Sequence, residues 1–433
     1  MNQRGKAFAV FCMAGTVLIS GCSGGNQAEE AARSSPAAVS ANTEPVTITM
    51  SLDTNIDEDL IAQIQEQLKM KHPNITLQLI KPGNGTSLAE LIMAGQTPDI
   101  VLTYNGKLAS YQDLEILYDM TPLLKQHDVD LSRFEPAILE DSKIASTKDE
   151  LYGLPLSLNY HALYYNKDIF DKYGVPYPTD GMTWDQVLQL AKKLTRMDNG
   201  TQIRGFDPGN SVIWVSQPLG IAAIDPKTEK ASINNDQWKK VFELVKAFYS
   251  IPGNEPNGVA KDAFLKEKNL AMYTDLSIIN DLELASKNAL NWDMVQYPSY
   301  PEKPNVYGNA SVNMLMITKT SKHKDQALQV INVATSDEVQ LESARKGRVT
   351  PLKDPKFKAE FGTAREVLNN KNVQGIFKSK PVKYPIASKY RGKAETMVRN
   401  KFTEYVNGNI DVNSALSQLD EEINRMIQTE SGK

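Results

Sequence analysis

Between residues 46 and 80 the chain passes from a β-branched run through a helical repeat to a second apolar run, and this pattern restricts the fold more than any other. The run 46–52 reads VTITMSL, the composition of a strand. Leu60, Ile61, Ile64 and Leu68 then recur at the spacing of one helical face until His72-Pro73 breaks it. Residues 75–80 return to a strand. A strand, a helix and a strand of these lengths imply a βαβ unit in a parallel sheet covered by helices. After a short helix at 87–94, Asp99-Ile100-Val101-Leu102 supplies another buried strand.

Sheets of this kind bind ligands beyond the carboxyl ends of their strands. Asp53 and Asn55 fall there after the first strand, and Tyr104 and Asn105 after the one at 99–102. Asp53 and Asn55 suit a helix N-cap equally well. The stretch 151–188, LYGLPLSLNYHALYYNKDIFDKYGVPYPTDGMTWDQVL, is the richest in aromatic and amide groups. Leu154 is held extended by Pro155. Alternation then sends Leu158, Tyr160, Ala162 and Tyr164 to one side and Asn159, His161, Leu163 and Tyr165 to the other. A helix at about 167–173 ends at Gly174. Thr183 and Gln186 form a capping box for the next helix, whose apolar face takes Trp184 into the core.

Further on, Trp214 stands between small and β-branched residues just before Pro218, and Trp238 falls on the apolar face of a helix at 234–249. A helix-like segment at 263–271 leads into a short strand at 272–275 that carries Tyr273 and Asp275 at its exit. A strand at 292–297 follows. Gly308-Asn309-Ala310-Ser311 precedes a strand at 312–318, and helices are expected at 324–335, 337–344, 394–406 and 412–427.

With 433 residues the chain exceeds the length at which one core keeps growing, so two lobes are expected. A net charge of -4 gives no basic footprint for nucleic acid. The 4 histidines are scattered, which argues against a metal site, and no cofactor is expected. The N-terminus carries Arg4 and Lys6, an apolar run at 7–19 and then Ile19-Ser20-Gly21-Cys22, the layout of a signal peptide too short to remain as a spanning helix. Cys12 lies in the part to be removed, so Cys22 is left without a disulfide partner. Residues 23–43 are small and polar without periodicity, a flexible tether. No other apolar stretch is long enough to cross a membrane.

The ISGC ending resembles the lipobox of bacterial lipoproteins, which would make Cys22 the lipidated N-terminus. Together with GQTPDIV, YGLPLSLNYHALYYNKDIF and PTDGMTWDQVLQLAKKLT, it resembles the extracellular solute-binding proteins of ABC importers, in the large family that includes maltose-binding protein. The resemblance covers nearly the whole mature chain in order. It implies a bilobed, periplasmic-binding-protein-like fold of two α/β lobes joined by a hinge of crossing segments, closing over ligand by hinge motion. On this basis 1–22 is the signal peptide, 44–156 and 308–365 the first lobe, and 157–307 and 366–433 the second. It also implies a monomer on the outer face of the cell membrane, attached only by lipid and working with permease subunits.

In the family the residue four after the strand-motif proline faces the ligand, and that position is Asn159. Related sugar binders often carry a carboxylate there. The loop after the first strand maps to Asp53, Thr54 and Asn55, the segment after the PDI motif to Tyr104 and Asn105, and an aromatic shelf in the second lobe to Trp214. At 271–275 the chain departs from many sugar-binding relatives, continuing as Leu276-Ser277-Ile278 where they carry a small residue and a tryptophan; Tyr273 and Asp275 are the substitutes. With Tyr160 and Asn309 these residues form the candidate ligand set. A sugar presents an apolar C–H face and a belt of hydroxyls, and the set offers flat aromatic surfaces with planar amides and carboxylates. The expected function is a non-enzymatic carbohydrate receptor delivering to an ABC permease. The alternatives are a lipid-anchored glycoside hydrolase using Asp53 and Asp275, and a sensory or adhesive lipoprotein.

Overall fold

The computed structural model describes residues 44–432 except 147, 210 and 384–387. The expected signal peptide, Cys22 and the expected tether lie outside the described residues. In chain order the strands of the first half are β1 (Val46–Leu52), β2 (Ile75–Ile80), β3 (Ile100–Tyr104), β4 (Leu154–Asn159) and β5 (Ala162–Asn166). Two small hairpins follow, β6 (Arg196–Asp198) with β7 (Thr201–Ile203), and β8 (Ile224–Asp225) with β9 (Lys230–Ala231). The second half adds β10 (Met272–Asp275), β11 (Trp292–Gln296), β12 (Val306–Asn309), β13 (Ser311–Ile317) and β14 (Lys380–Val382).

The first lobe is built on a five-stranded sheet in the order β2-β1-β3-β13-β4. β1 runs parallel to β2 and to β3, joined to β2 by the helix Glu58–Lys71, whose buried face is Leu60, Ile61, Ile64 and Leu68. β13 enters antiparallel to both β3 and β4 and closes the sheet. Ile48, Ile100, Leu102 and Leu315 pack into one core layer, while Val101, Met314 and Met316 pack into a second. Asp99, in the GQTPDIV segment, is structural: its carboxylate accepts from Thr49 N (3.0 Å) and Ser321 Oγ (2.7 Å), which fixes the start of β3.

The second lobe is centred on β10-β5-β11, with β5 antiparallel to both neighbours. The alternation of the 151–188 stretch appears here as two core faces: Leu163 and Tyr165 pack with Trp184, Trp238 and Phe242, and Ala162 and Tyr164 pack with Tyr273, Trp292 and Met294. The extended run is interrupted at Tyr160 and His161, where the chain leaves the first sheet as β4 and enters the second as β5. A second passage joins β12, paired with β14, to β13 through Ala310. A third falls between Phe357, packed in the first lobe's core, and Phe361, packed in the second's.

The helix expected over 263–271 is shorter. The helical turn Ala260–Asp262 widens into a π-turn at Ala263–Glu267 and stops at Lys268, whose φ is 55°. The backbone of 269–271 is taken by sheet-like bonds: Arg204 N donates to Asn269 O at 2.9 Å and Asn166 N to Ala271 O at 2.9 Å. Those bonds outweigh the helical propensity of the segment.

Trp184 shows how the second lobe is held together. The capping box of Thr183 and Gln186 starts its helix, and the indole lies edge-on to Tyr297 with ring centroids 5.2 Å apart. Trp184→Ala is expected to lower the unfolding free energy by about 3–5 kcal/mol, as for other buried aromatic truncations. A urea unfolding midpoint equal to that of the parent protein would contradict its place in the core.

Candidate functional site

Residues of both lobes and two of the passages between them enclose a cleft with two compartments. The division follows the chain: Tyr160 faces one compartment and His161 the other, and Ser277 faces one and Leu276 the other.

The first compartment, of about 430 Å³, carries the aromatic surface. Tyr104 and Lys107 reach it from the end of β3, Trp214 and Gln217 from the short helical segment after Gly209, and Asn309 from the passage into β13. Gly209 has a φ of 65°, and a Cβ there would run into the Thr274 carbonyl, so only glycine lets the backbone lie close to β10 and seat the Trp214 helix. The half-buried Trp214 is braced by His161, edge-on at 5.3 Å between ring centroids and 86° between planes. His161 is itself wedged against Tyr297 at 5.1 Å and Tyr307 at 5.8 Å. Burial pushes the His161 imidazole down to about 3, so it is neutral at physiological pH, and its Nδ1 has no partner among the described residues. Arg391 and Glu395 complete the wall, paired at 2.6 Å.

The second compartment, of about 360 Å³, is polar. Thr54 and Asn55 line it from the loop after β1, Ser157 and Asn159 from β4, Asn313 from β13, and Ser277 and Asn280 from the segment after β10. A chain of bonds closes its edge across the lobes. Arg348 Nε donates to Asp57 Oδ2 (2.6 Å), Asn280 Nδ2 to Asp57 Oδ1 (2.7 Å), and Arg365 Nη1 to Asn280 Oδ1 (2.7 Å).

Six of the ten candidate ligand residues line the cleft, divided between its halves. Tyr104, Trp214 and Asn309 face the aromatic compartment; Asn55, Asn159 and Tyr160 face the polar one. Tyr160 does so with a ring that is itself core, 3% exposed and edge-on to Phe361. The other four are tied down. The Asp53 carboxylate accepts from Tyr111 Oη and pairs with Lys107 at 3.0 Å, which positions the loop after β1. Asn105 is 0% exposed and does not reach the cleft, since its amide donates to Ala310 O (3.1 Å) and accepts from Val312 N (3.2 Å). Tyr273 is buried and donates to Asp275 Oδ2 at 2.6 Å. Burial raises the Asp275 carboxyl above its usual range despite that bond and the Leu276 N–H at 2.7 Å. Neither Asp53 nor Asp275 lines either compartment, so these two carboxylates do not face a common substrate space. Asp57 and Asp281 do face the polar compartment, each ion-paired, with Arg348 and Lys261.

The sequence reading passed over His161, Gln217, Arg348 and Arg391. His161 could have been found, because it sits in the same aromatic run as Asn159. The other three lie where the sequence shows no helical or strand period: Gln217 just before Pro218, Arg348 beyond the helix expected at 337–344, and Arg391 ahead of the one expected at 394–406.

The family model described as bacterial extracellular solute-binding protein matches residues 53–341. The arabinooligosaccharide-binding protein of Bacillus subtilis is 23% identical, over 98% of this chain and 90% of its own length. Among solved structures, an ABC substrate-binding protein of Listeria monocytogenes in complex with cycloalternan superposes with a TM-score of 0.72, at 19% identity over 89% of this chain and 99% of that one. The sugar-binding protein MalE of Xanthomonas citri gives 0.70, at 17% identity over 89% and 98%.

Two predictions test these placements. Asn105→Ala leaves the Ala310 carbonyl and the Val312 N–H without their partner and is expected to lower stability by about 1–3 kcal/mol; an unchanged chemical-denaturation midpoint would contradict the role. For His161 the folded value, about 3, lies below the ordinary histidine value of 6.5, so the unfolded chain binds the extra proton between them. Its contribution is complete above the unfolded value and is lost as pH falls toward the folded one, by up to about 1.4 kcal/mol per pH unit. His161→Gln should therefore flatten the pH profile of thermal stability on the acid side; an identical slope would show that the imidazole is not held neutral by burial.

Proposed function

The chain belongs to the bacterial extracellular solute-binding protein family, and on that premise we propose that it captures a carbohydrate in the interlobe cleft and hands it to the permease of an ABC importer. The family places it outside the cytoplasm and among receptors. The observation that carries the sugar reading is the braced Trp214 surface with Tyr104 in the same compartment and amides nearby. A flat indole receives the C–H face of a pyranose, and Gln217, Asn309 and, across the division, Asn159 are planar groups suited to its hydroxyls. Relatives named for binding arabinooligosaccharides and for melibiose, raffinose and stachyose support the same class. The ISGC sequence at 19–22 supports a lipid anchor on Cys22.

A thermal-shift screen against mono-, di- and oligosaccharides, amino acids and polyamines tests the reading, because a solute that binds only the native state raises its apparent stability. At least one saccharide is expected to shift the midpoint; a shift by non-saccharides alone would overturn the proposal. With the saccharide in hand, Trp214→Ala should weaken binding by about 2 kcal/mol or more, roughly 30-fold, while equal calorimetric affinity in a folded variant would remove Trp214 from the site. Cys22→Ala in cells should abolish fatty-acid labelling and release the protein from membranes; continued labelling would contradict the anchor.

A further inference from the structure

The charges of the cleft show an order that the sugar reading does not require. In the aromatic compartment Lys107 is paired with Asp53 (3.0 Å), Arg391 with Glu395 (2.6 Å) and, at the rim, Lys389 with Asp113 (3.3 Å) across the lobes. In the polar compartment Arg348 pairs with Asp57 (2.6 Å) and with Asp59, and Arg365 with Glu283. Lys346 pairs with Asp59 (3.2 Å), and Asp281 with Lys261 (2.6 Å). Every cationic and anionic side chain lining the two compartments thus has an oppositely charged partner within 4 Å among the described residues, and the one histidine there is buried.

A charged group that enters a closing cleft loses hydration and needs a new partner of opposite sign. Here each candidate partner already faces a group of opposite sign: the Arg348 and Arg365 side chains are 12% and 16% exposed, their partners Asp57 and Glu283 are both 36% exposed, and Arg348 keeps one buried nitrogen, Nη1, without a hydrogen-bond partner among the described residues. Arg391 holds Glu395 through Nε, so a solute carboxylate could reach the same guanidinium, but there it would lie beside the Glu395 carboxylate and be repelled by it. An ammonium group beside Glu395 would meet the Arg391 charge in the same way. Hydroxyls and ring oxygens meet no such repulsion, because the compartments also offer neutral donors and acceptors at Asn55, Asn159, Asn309, Gln217 and Ser277.

We propose that the solute is an uncharged saccharide, and that the closed set of ion pairs makes the cleft reject uronic acids, amino sugars and sugar phosphates. The inference rests on the carbohydrate reading and narrows it. The test incubates the full mature protein with a polysaccharide digest containing matched neutral, acidic and amino oligosaccharides and identifies the retained species by native mass spectrometry. Retention of neutral species is expected, with charged congeners of the same length roughly tenfold or more weaker by calorimetry and the neutral affinity unchanged between low and physiological salt. Preferred retention of an acidic, amino or phosphorylated sugar would overturn this inference and leave the carbohydrate reading standing. Retention of a non-saccharide, or of nothing from the digest, would overturn both. Glu395→Gln supplies a second readout: with Arg391 released from its carboxylate, affinity for the uronate congener should rise relative to the neutral one. An equal loss for both would assign the pair to scaffold and contradict its part in rejection.

Discussion

The amide of Asn105 holds together the place where the two lobes meet. It donates to the Ala310 carbonyl and accepts from the Val312 N–H, and so takes up two backbone groups just where the chain leaves β12 and joins the first sheet as β13. Buried main-chain polar groups must find partners, and the first residues of β13, which pair with β4 on one side, have no strand partner on the β3 side before Asn313. With that passage fixed, β13 can lie between β3 and β4, Ser311 can pair with Asn159, and Asn309 is delivered to the cleft wall. The walls on either side then follow from rigid elements: the ends of β1 and β3 in one lobe, and the Trp214 segment and the start of the helix Arg391–Val406 in the other.

The same logic of satisfied partners runs through the cleft. Asp53 is held by Lys107 and Tyr111, Asp57 by Arg348 and Asn280, Glu395 by Arg391. His161 is kept neutral by the rings around it. What remains for a solute is an indole face, a half-buried tyrosine and a ring of neutral amides and hydroxyls. On the proposed reading, such a surface would discriminate through shape and hydrogen-bond geometry more than through electrostatic attraction.

Local rules made much of this legible in the sequence. The helical repeat of Leu60, Ile61, Ile64 and Leu68 between two strand runs specified the parallel β1–β2 pair, and the period-2 pattern held over 162–165, where β5 has two opposite core faces, although the alternation expected to run on from Leu158 breaks at Tyr160 and His161. Trp184 and Trp238 fell into the core because their helical spacing allowed nothing else. The site was harder to read for a physical reason. A carboxylate or amide at the end of a strand looks the same in sequence whether it faces solute or is captured by another segment. Asp53 was captured by Tyr111, Asp275 by Tyr273 and Asn105 by the 310–312 backbone, and those partners are chosen only when distant segments pack. Arg348 and Arg391 entered the cleft for the same reason, from positions just outside the helices expected at 337–344 and 394–406.

In the proposed complex a saccharide ring lies in the aromatic compartment against Trp214. A crystal structure of the protein with its retained solute tests this most directly. A pyranose or furanose ring is expected stacked on the indole, with its hydroxyls bonded to neutral side chains of both lobes and the Arg391–Glu395 pair intact. A solute seated away from Trp214, or one whose charged group has displaced Glu395 from Arg391, would contradict it.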